Sequence, residues 1–355
     1  MPVILLLRGC VMYYFIVNPS SSSGKGMKTW QTVEHLLRSE HVPYHVFFTS
    51  RKKQGEELAH MISSRHAPCT IVAVGGDGTA NEVISGLTNY SQIQFGYIPS
   101  GSGNDLAAGL NLKTSPSAAL QAILHPKKVL PVTVGCTHTP EKTYHFIVSS
   151  GIGFDAAVCH EAVNSSFKKL LNHFGLGKLT YLGIALKQLI LLHSTPVSMV
   201  LDDRRQFEFD DVFFIAAMNL KYEGGGFKFC PEADPSDDYL DLCLVEKMSK
   251  LRILRLLPTA FRGDHVKFDG VHIYRCKKAV IRAASPLAVH TDGEKAGFQR
   301  LVTMALVQEK LPFIVAYAIW GRCFLALKSQ KTPSPVALVA LIKTIKLLCD
   351  SISCH

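Results

Sequence analysis

The 355-residue sequence predicts an α/β protein, with a parallel sheet between helices in the first third and a β-rich domain after it. Three observations carry that expectation. From Tyr13 to about Pro131, short apolar runs alternate with stretches of helical periodicity, the pattern of a parallel sheet with helices on both faces. Two glycine-rich strings, Gly75–Thr79 and Ser100–Gly103, each sit between an apolar run and a helical stretch. After Val129 the chain turns into short β-rich runs separated by turn residues, which suits antiparallel pairing.

Taken in order, Tyr13–Val17 reads as a strand ended by Asn18-Pro19 and a Ser/Gly stretch from Ser20 to Gly26. Trp30, Val33, Leu36 and Leu37 recur at helical spacing, which predicts a helix over 28–39. Tyr44–Phe48 is a second strand, and Leu58, Met61 and Ile62 share one face of a helix over 55–64. Strand Thr70–Val74, helix Thr79–Leu87 and strand Phe95–Ile98 complete the alternation. In the second half, 145–149, 197–201, 211–218, 239–245, 270–274 and 279–282 read as strands, interrupted by one apolar helix near 179–193. The domains expected are 12–130, 131–308 with its last strands able to return to the first, and a tail of apolar and basic helices over 309–355. That tail reads either as a membrane-interface pair or as a helical hairpin packed on the second domain.

The apolar share of 47% and charged share of 19% place the chain among globular proteins and exclude a disordered one. A formal net charge of +10 favours an anionic partner: nucleic acid, a phosphate-rich substrate or an anionic membrane. The plain alternative is solubility charge. Lysines and arginines are scattered without an aromatic-basic module, so nucleic acid is not expected. The ten cysteines form no CxxC pair and mostly sit in apolar runs, which suits reduced thiols in the cytoplasm. Met1–Val11 is apolar but too short to span a bilayer, and Met12 is a second candidate start.

Chemistry concentrates in the glycine strings. In Gly75-Gly76-Asp77-Gly78-Thr79, glycines let the backbone approach a phosphate, and the following helix presents unpaired amides to it. Asp77 would repel phosphate, so it makes sense facing Mg²⁺ or a hydroxyl losing its proton. Ser100-Gly101-Ser102-Gly103-Asn104-Asp105 follows the next strand and adds a second carboxylate at the same sheet edge. The alternative for Asn104 and Asp105 is helix capping. Asp292-Gly293-Glu294 reads as a hairpin turn, a site, or both. His290, just before it, reads as a structural histidine or a substrate contact.

Together the strings GGDGTANEV and IPSGSGNDLA resemble those of the diacylglycerol kinase catalytic family, which includes sphingosine, ceramide and bacterial lipid kinases. The likeness extends through Asn18-Pro19 with Lys25, Gly151–Asp155, Gly224–Phe227 and Asp292–Glu294, from about residue 13 to 308. It implies a nucleotide-binding α/β domain like those of NAD kinases and phosphofructokinases, joined to a β-sandwich domain. It implies ATP and Mg²⁺, with Asn18, Gly75, Gly76, Asp77, Gly78, Thr79, Ser100, Gly101, Ser102 and Asn104 around the nucleotide. Asp292 would be the base on a lipid hydroxyl, Glu294 would hold nucleotide or metal, and Asp77 and Asp105 would join them around the metal. Asp237 matches the ligand of a structural Mg²⁺ in bacterial members, although Asp238 replaces the usual glycine. Phe154, Phe227 and Phe229 would line the lipid pocket. The expectation is a cytoplasmic lipid kinase, peripherally associated with the membrane that holds its substrate, with a homodimer left open. The alternatives are an NAD kinase-like enzyme and a catalytically silent relative.

Overall fold

The structure, a computed structural model, describes residues 12–164, 183–184 and 187–315. Strands β1 (Tyr13–Val17), β2 (Tyr44–Phe48), β3 (Cys69–Gly75) and β4 (Ile93–Pro99) pair in parallel, in the order β2-β1-β3-β4. Helices α1 (Ser21–Ser39), α2 (Gln54–His66), α3 (Asp77–Gly86), α4 (Asp105–Gly109) and α5 (Pro116–Leu124) connect or follow them. The strands are apolar on both sides because both sides are covered. Phe15, Val17, Val72 and Val74 pack with Trp30, Val33 and Leu37 of α1 and Leu120 of α5. The alternate residues Tyr14, Ile16, Ile71 and Ala73 pack with Ile62 of α2 and Val83 and Ile84 of α3. Helix α1 begins earlier than its periodicity predicts, but Ser22, Ser23 and Gly24 have positive φ, so its regular part starts beyond the Ser/Gly stretch.

The first sheet does not end at residue 130. β5 (Lys128–Val132) joins it, and β15 (Leu311–Val315) inserts between β4 and β5, parallel to the first and antiparallel to the second. This corrects the helical reading of the apolar run from Phe313. Phe313 is fully buried and meets Phe95 edge-on at 5.0 Å, so the run is apolar because it is a central strand. The rest of the expected tail, 316–355, lies outside the described residues, as does most of the helix expected near 179–193; residues 187–191 are helical.

Between these returns lie β6 (Gly135–His138), β7 (Thr143–Phe146), β8 (Ser149–Gly153), α6 (Phe154–Asn164), β9 (Thr195–Leu201), β10 (Arg205–Met218), β11 (Leu240–Glu246), α7 (Lys250–Ala260), β12 (Val271–Cys276), β13 (Lys278–Thr291) and β14 (Glu294–Leu306). The order is β12-β11-β10-β8-β13-β14-β6-β7. β10 and β13 each pair with β9 through one part and β8 through another, with register shifts along both strands. The result is an antiparallel β-sandwich around Phe146, Ile152, Met199, Ile215, Leu242, Ile281 and Val302. The single strand expected over 145–149 is two strands, β7 and β8, because the amides of residues 147–149 turn toward a buried carboxylate described below. Among the described residues, no helix is long and apolar enough to cross a membrane.

The placement of β15 has a measurable consequence. Phe313→Ala should lower the free energy of unfolding by about 3–5 kcal/mol in urea titration. A change below 1 kcal/mol, on the order of a surface substitution, would mean that β15 is not a load on the first sheet.

Candidate active site

Parallel register sets the geometry of the site. Val17 pairs with Val74, and Gly75 with Pro99, so β1, β3 and β4 end level with one another. Asn18, Gly76 and Ser100 therefore leave the sheet at one edge, where open α/β sheets bind ligands. The three loops are bonded together. Asn18 Nδ2 donates to Thr79 Oγ1 at 3.2 Å, the Ser21 and Ser100 hydroxyls lie 2.6 Å apart, and Ser100 N donates to Gly75 O at 2.7 Å. The two glycine strings touch backbone to backbone: a Cβ on Gly101 would lie 2.7 Å from Gly76 Cα. Gly78 is open instead, with Glu294 Oε1 as the nearest atom to a Cβ placed there, at 3.7 Å. That opening, at the first turn of α3, is a cradle for an anion. Ser102 and Gly103 stand exposed above it.

Asp77 explains the acid in a phosphate loop. Its Oδ2 accepts from Asp105 N at 3.1 Å, and its Oδ1 from Leu106 N at 3.3 Å and from the Tyr97 hydroxyl at 3.4 Å. It thus caps α4 from another loop and pins the second glycine string to the first. Burial raises its pKa, and those donors oppose the rise. Asn104 precedes α4 in the left-handed region, and its Oδ1 is buried without a partner. The carboxylate of Asp105 accepts the Gly225 amide, at 3.1 Å to each oxygen, with the Gly224 amide also bonding to it. Its pKa is pushed up to about 7 by burial first, then by the charges of Asp77 and Glu223.

The structure separates Asp292 from Glu294. Asp292 sits at positive φ in the turn between β13 and β14. Its Oδ1 accepts from Val148 N and Ser149 N at 2.8 and 2.9 Å. Its Oδ2 accepts from Ile147 N at 2.9 Å and from Asn81 Nδ2 at 2.8 Å. A carboxylate offers about four lone-pair directions, and four donors fill them. In this arrangement no lone pair is left free for a substrate hydroxyl, and the side chain ties α3 to the sandwich. Burial still lifts its pKa to about 6 against those four donors. Glu294, two residues on, is the accessible carboxylate. One oxygen pairs with Lys52 and the other faces Gly78.

The carboxylate of Asp237 is bonded by Arg275 and by Tyr239 N, and Arg275 also lies over the Tyr239 ring at 4.6 Å. Asp238 pairs with Lys310 at 2.8 Å. Arg275 and Lys310 thus answer two of the three carboxylates of this turn, Asp237 and Asp238, while Asp234 accepts from Ser236. His290 is fully buried, with Nε2 at 3.1 Å from both Asp155 and Glu223, while Gly293 N donates to Nδ1 at 3.2 Å. It therefore braces the turn that carries Asp292 and touches no open space. Phe154, Phe227 and Phe229 belong to one aromatic group: Phe154 and Phe229 meet through Phe214, and Phe227 stacks on Phe229 at 5.9 Å.

Sequence reasoning missed the roles of Asn81, Tyr97, Lys52 and Glu223. Each acts on a residue 20 to 242 positions away, and only the short spacing of Asn81 from the first glycine string marked it. Residues 12–136 match the family described as "Diacylglycerol kinase catalytic domain", and residues 147–312 match the "YegS C-terminal NAD kinase beta sandwich-like domain". The chain is similar to the Bacillus subtilis protein named "Putative lipid kinase YtlR", 28% identical over 80% of this chain and 94% of that one. It is also similar to a Mycobacterium tuberculosis diacylglycerol kinase, 28% identical over 68% of this chain and 75% of that one. A Bacillus anthracis crystal structure, named as that of a "putative diacylglycerol kinase", shares the fold with a TM-score of 0.70, at 21% identity over 86% of this chain and 95% of that one.

Two outcomes follow from the bonding at Asp292 and Asp237. Asp292→Asn places an amide donor against backbone amides and should cost about 3 kcal/mol of stability in urea unfolding; unchanged stability would return Asp292 to the candidate bases. In the absence of nucleotide, the thermal midpoint should be the same in EDTA as in Mg²⁺. A rise of several degrees with Mg²⁺ that Asp237→Asn abolishes would show that the Asp234–Tyr239 turn takes a metal.

Proposed function

We propose, from the premise that this chain belongs to the diacylglycerol kinase catalytic-domain family and is a kinase, that it transfers the γ-phosphate of ATP to the hydroxyl of diacylglycerol or a related membrane lipid. The observation that carries this reading is the open cradle at Gly78, with the accessible carboxylate of Glu294 facing it. The backbone amides at the start of α3 bind phosphate oxygens, and Asn18, Thr79 and Ser100 keep the three loops in one arrangement. Glu294 takes the role first expected of Asp292: it orients the acceptor hydroxyl and accepts its proton as the new P–O bond forms and the bond from the γ-phosphorus to the bridging oxygen breaks, releasing ADP. Asp292 is a positioning residue, since it fixes the turn on which Glu294 stands.

The donor set at the cradle fits Mg²⁺. Asp105 keeps carboxylate lone pairs beyond the Gly224 and Gly225 amides it accepts, and the buried, unpartnered Asn104 Oδ1 lies beside it in the chain. Asp105 would hold the ion, with Asp77 adding negative charge behind it. When bound, Mg²⁺ would neutralise charge on the phosphates. The aromatic group of Phe227, Phe229 and Phe214 adjoins Asp105 through the Gly224–Gly226 loop, and an acyl chain would lie against it. The reading implies peripheral contact with a membrane.

The test is transfer of labelled phosphate from ATP to a lipid panel in mixed micelles: diacylglycerol, monoacylglycerol, sphingosine, ceramide, undecaprenol and phosphatidylglycerol, with NAD as soluble control. One lipid should take label, and Glu294→Gln should slow turnover by about 10²–10⁴-fold with ATP binding retained. Label on NAD alone would replace this reading with an NAD kinase. ATP binding without any transfer would indicate a silent relative.

A further inference from the structure

We propose that helix α7 and the turn after it are the surface by which this chain docks on an anionic bilayer. The proposal rests on the lipid-kinase reading, since it names where that enzyme meets its substrate's membrane. Helix α7 buries Ile253 and Ala260. Helical spacing then puts Leu251, Arg255 and Pro258 on the opposite side, with Arg252 flanking them. Leu251 is 57% exposed, and beyond the helix Phe261 and Phe268 are 49% and 40% exposed. Lys250 Nζ donates to Ile190 O at 2.5 Å, which brings exposed Ile190 and Leu191 beside the start of the helix. Isolated exposed apolar side chains are ordinary, but Leu251 with Ile190 and Leu191 at the start of the helix and Phe261 at its end give one element an apolar edge that calls for a partner.

Charge identifies that partner. Residues 250–269 carry five lysines and arginines against two aspartates. Arg252 and Arg255, both exposed, make no ion pair among the described residues, while Arg262 and Lys267 share the single carboxylate of Asp264. Large apolar side chains interleaved with unpaired cations match a bilayer interface with anionic headgroups. The patch is also continuous with the site. Phe261 stacks on Phe227 at 4.1 Å, and Phe227 follows the glycine loop whose Gly225 amide holds Asp105. A lipid drawn up at α7 would meet aromatic rings on the way to the phosphate cradle.

The test is co-sedimentation of the full chain with vesicles of phosphatidylcholine, with and without phosphatidylserine. The parent chain should bind the anionic vesicles more tightly, and less so as salt rises. An Arg252→Glu, Arg255→Glu variant should bind them at least about 25-fold more weakly, from about fivefold per basic residue lost. Leu251→Gln should weaken binding to both kinds of vesicle. Circular dichroism melts and turnover on a short-chain diacylglycerol dispersed without vesicles should match the parent, because neither arginine touches the site. Anionic binding by the double variant equal to the parent's, or no anionic binding by the parent, overturns the docking surface. Failure of the parent to phosphorylate any lipid, with arginine-dependent vesicle binding intact, overturns the kinase reading and leaves the surface standing.

Discussion

The buried carboxylate of Asp292 is the interaction on which the arrangement of this site depends. It belongs to the sandwich, yet one of its four donors is Asn81 of helix α3, in the nucleotide-side domain. The other three are consecutive amides, 147–149, at the break between β7 and β8. Asn81 Nδ2 also donates to His145 O at 2.9 Å, so the same side chain grips both the acid and the strand that presents those amides. Charge-assisted bonds of this kind are worth more than neutral ones, and leaving any of these donors unmet in a buried place is costly. The turn is thereby held, and Glu294 is held with it against Gly78.

A second constraint is the crowding of acids near the cradle. Asp77 spends its charge on the α4 amides, which lets two glycine strings pack at backbone distance without a covalent tie. Asp105, bonded by the Gly224 and Gly225 amides with two acids nearby, has its pKa pushed up to about 7. Asp77 is served by more donors, backbone amides of the second glycine string and the Tyr97 hydroxyl. Farther in, His290 sits between Asp155 and Glu223 and supports the same turn from below. The acids of this protein therefore divide into those that hold backbone and those that face open space.

Much of the fold could be read directly. The alternation of strand and helix from Tyr13 to Ile98 is local, since the strands are largely apolar and each helix has one buried stripe. The sites of the glycine strings were equally plain, because strand–glycine–helix connections in a parallel sheet end at one edge. Reading failed where an apolar run had two physical explanations. Phe313 lies in such a run, and a membrane-seeking helix and a central strand demand the same residue types. The pairing of Asp237 was hidden for another reason: an acidic turn looks the same in sequence whatever answers its charge, and Arg275 is 38 residues away.

What the sequence determined by itself was the composition of the candidate site: which glycine loops meet at the sheet edge, which acids stand near them, and which family the pattern resembles. Those properties rest on local backbone chemistry, on glycines that admit an anion and helices that offer amides. Only the tertiary structure decided what each acid does. Asp77, Asp292 and Glu294 are alike in sequence as acids beside glycine, and a carboxylate's role follows from how many of its lone pairs other residues have filled. That count is set by donors such as Asn81, Leu106 and Ile147, which reach the site through packing and strand register over long separations in the chain.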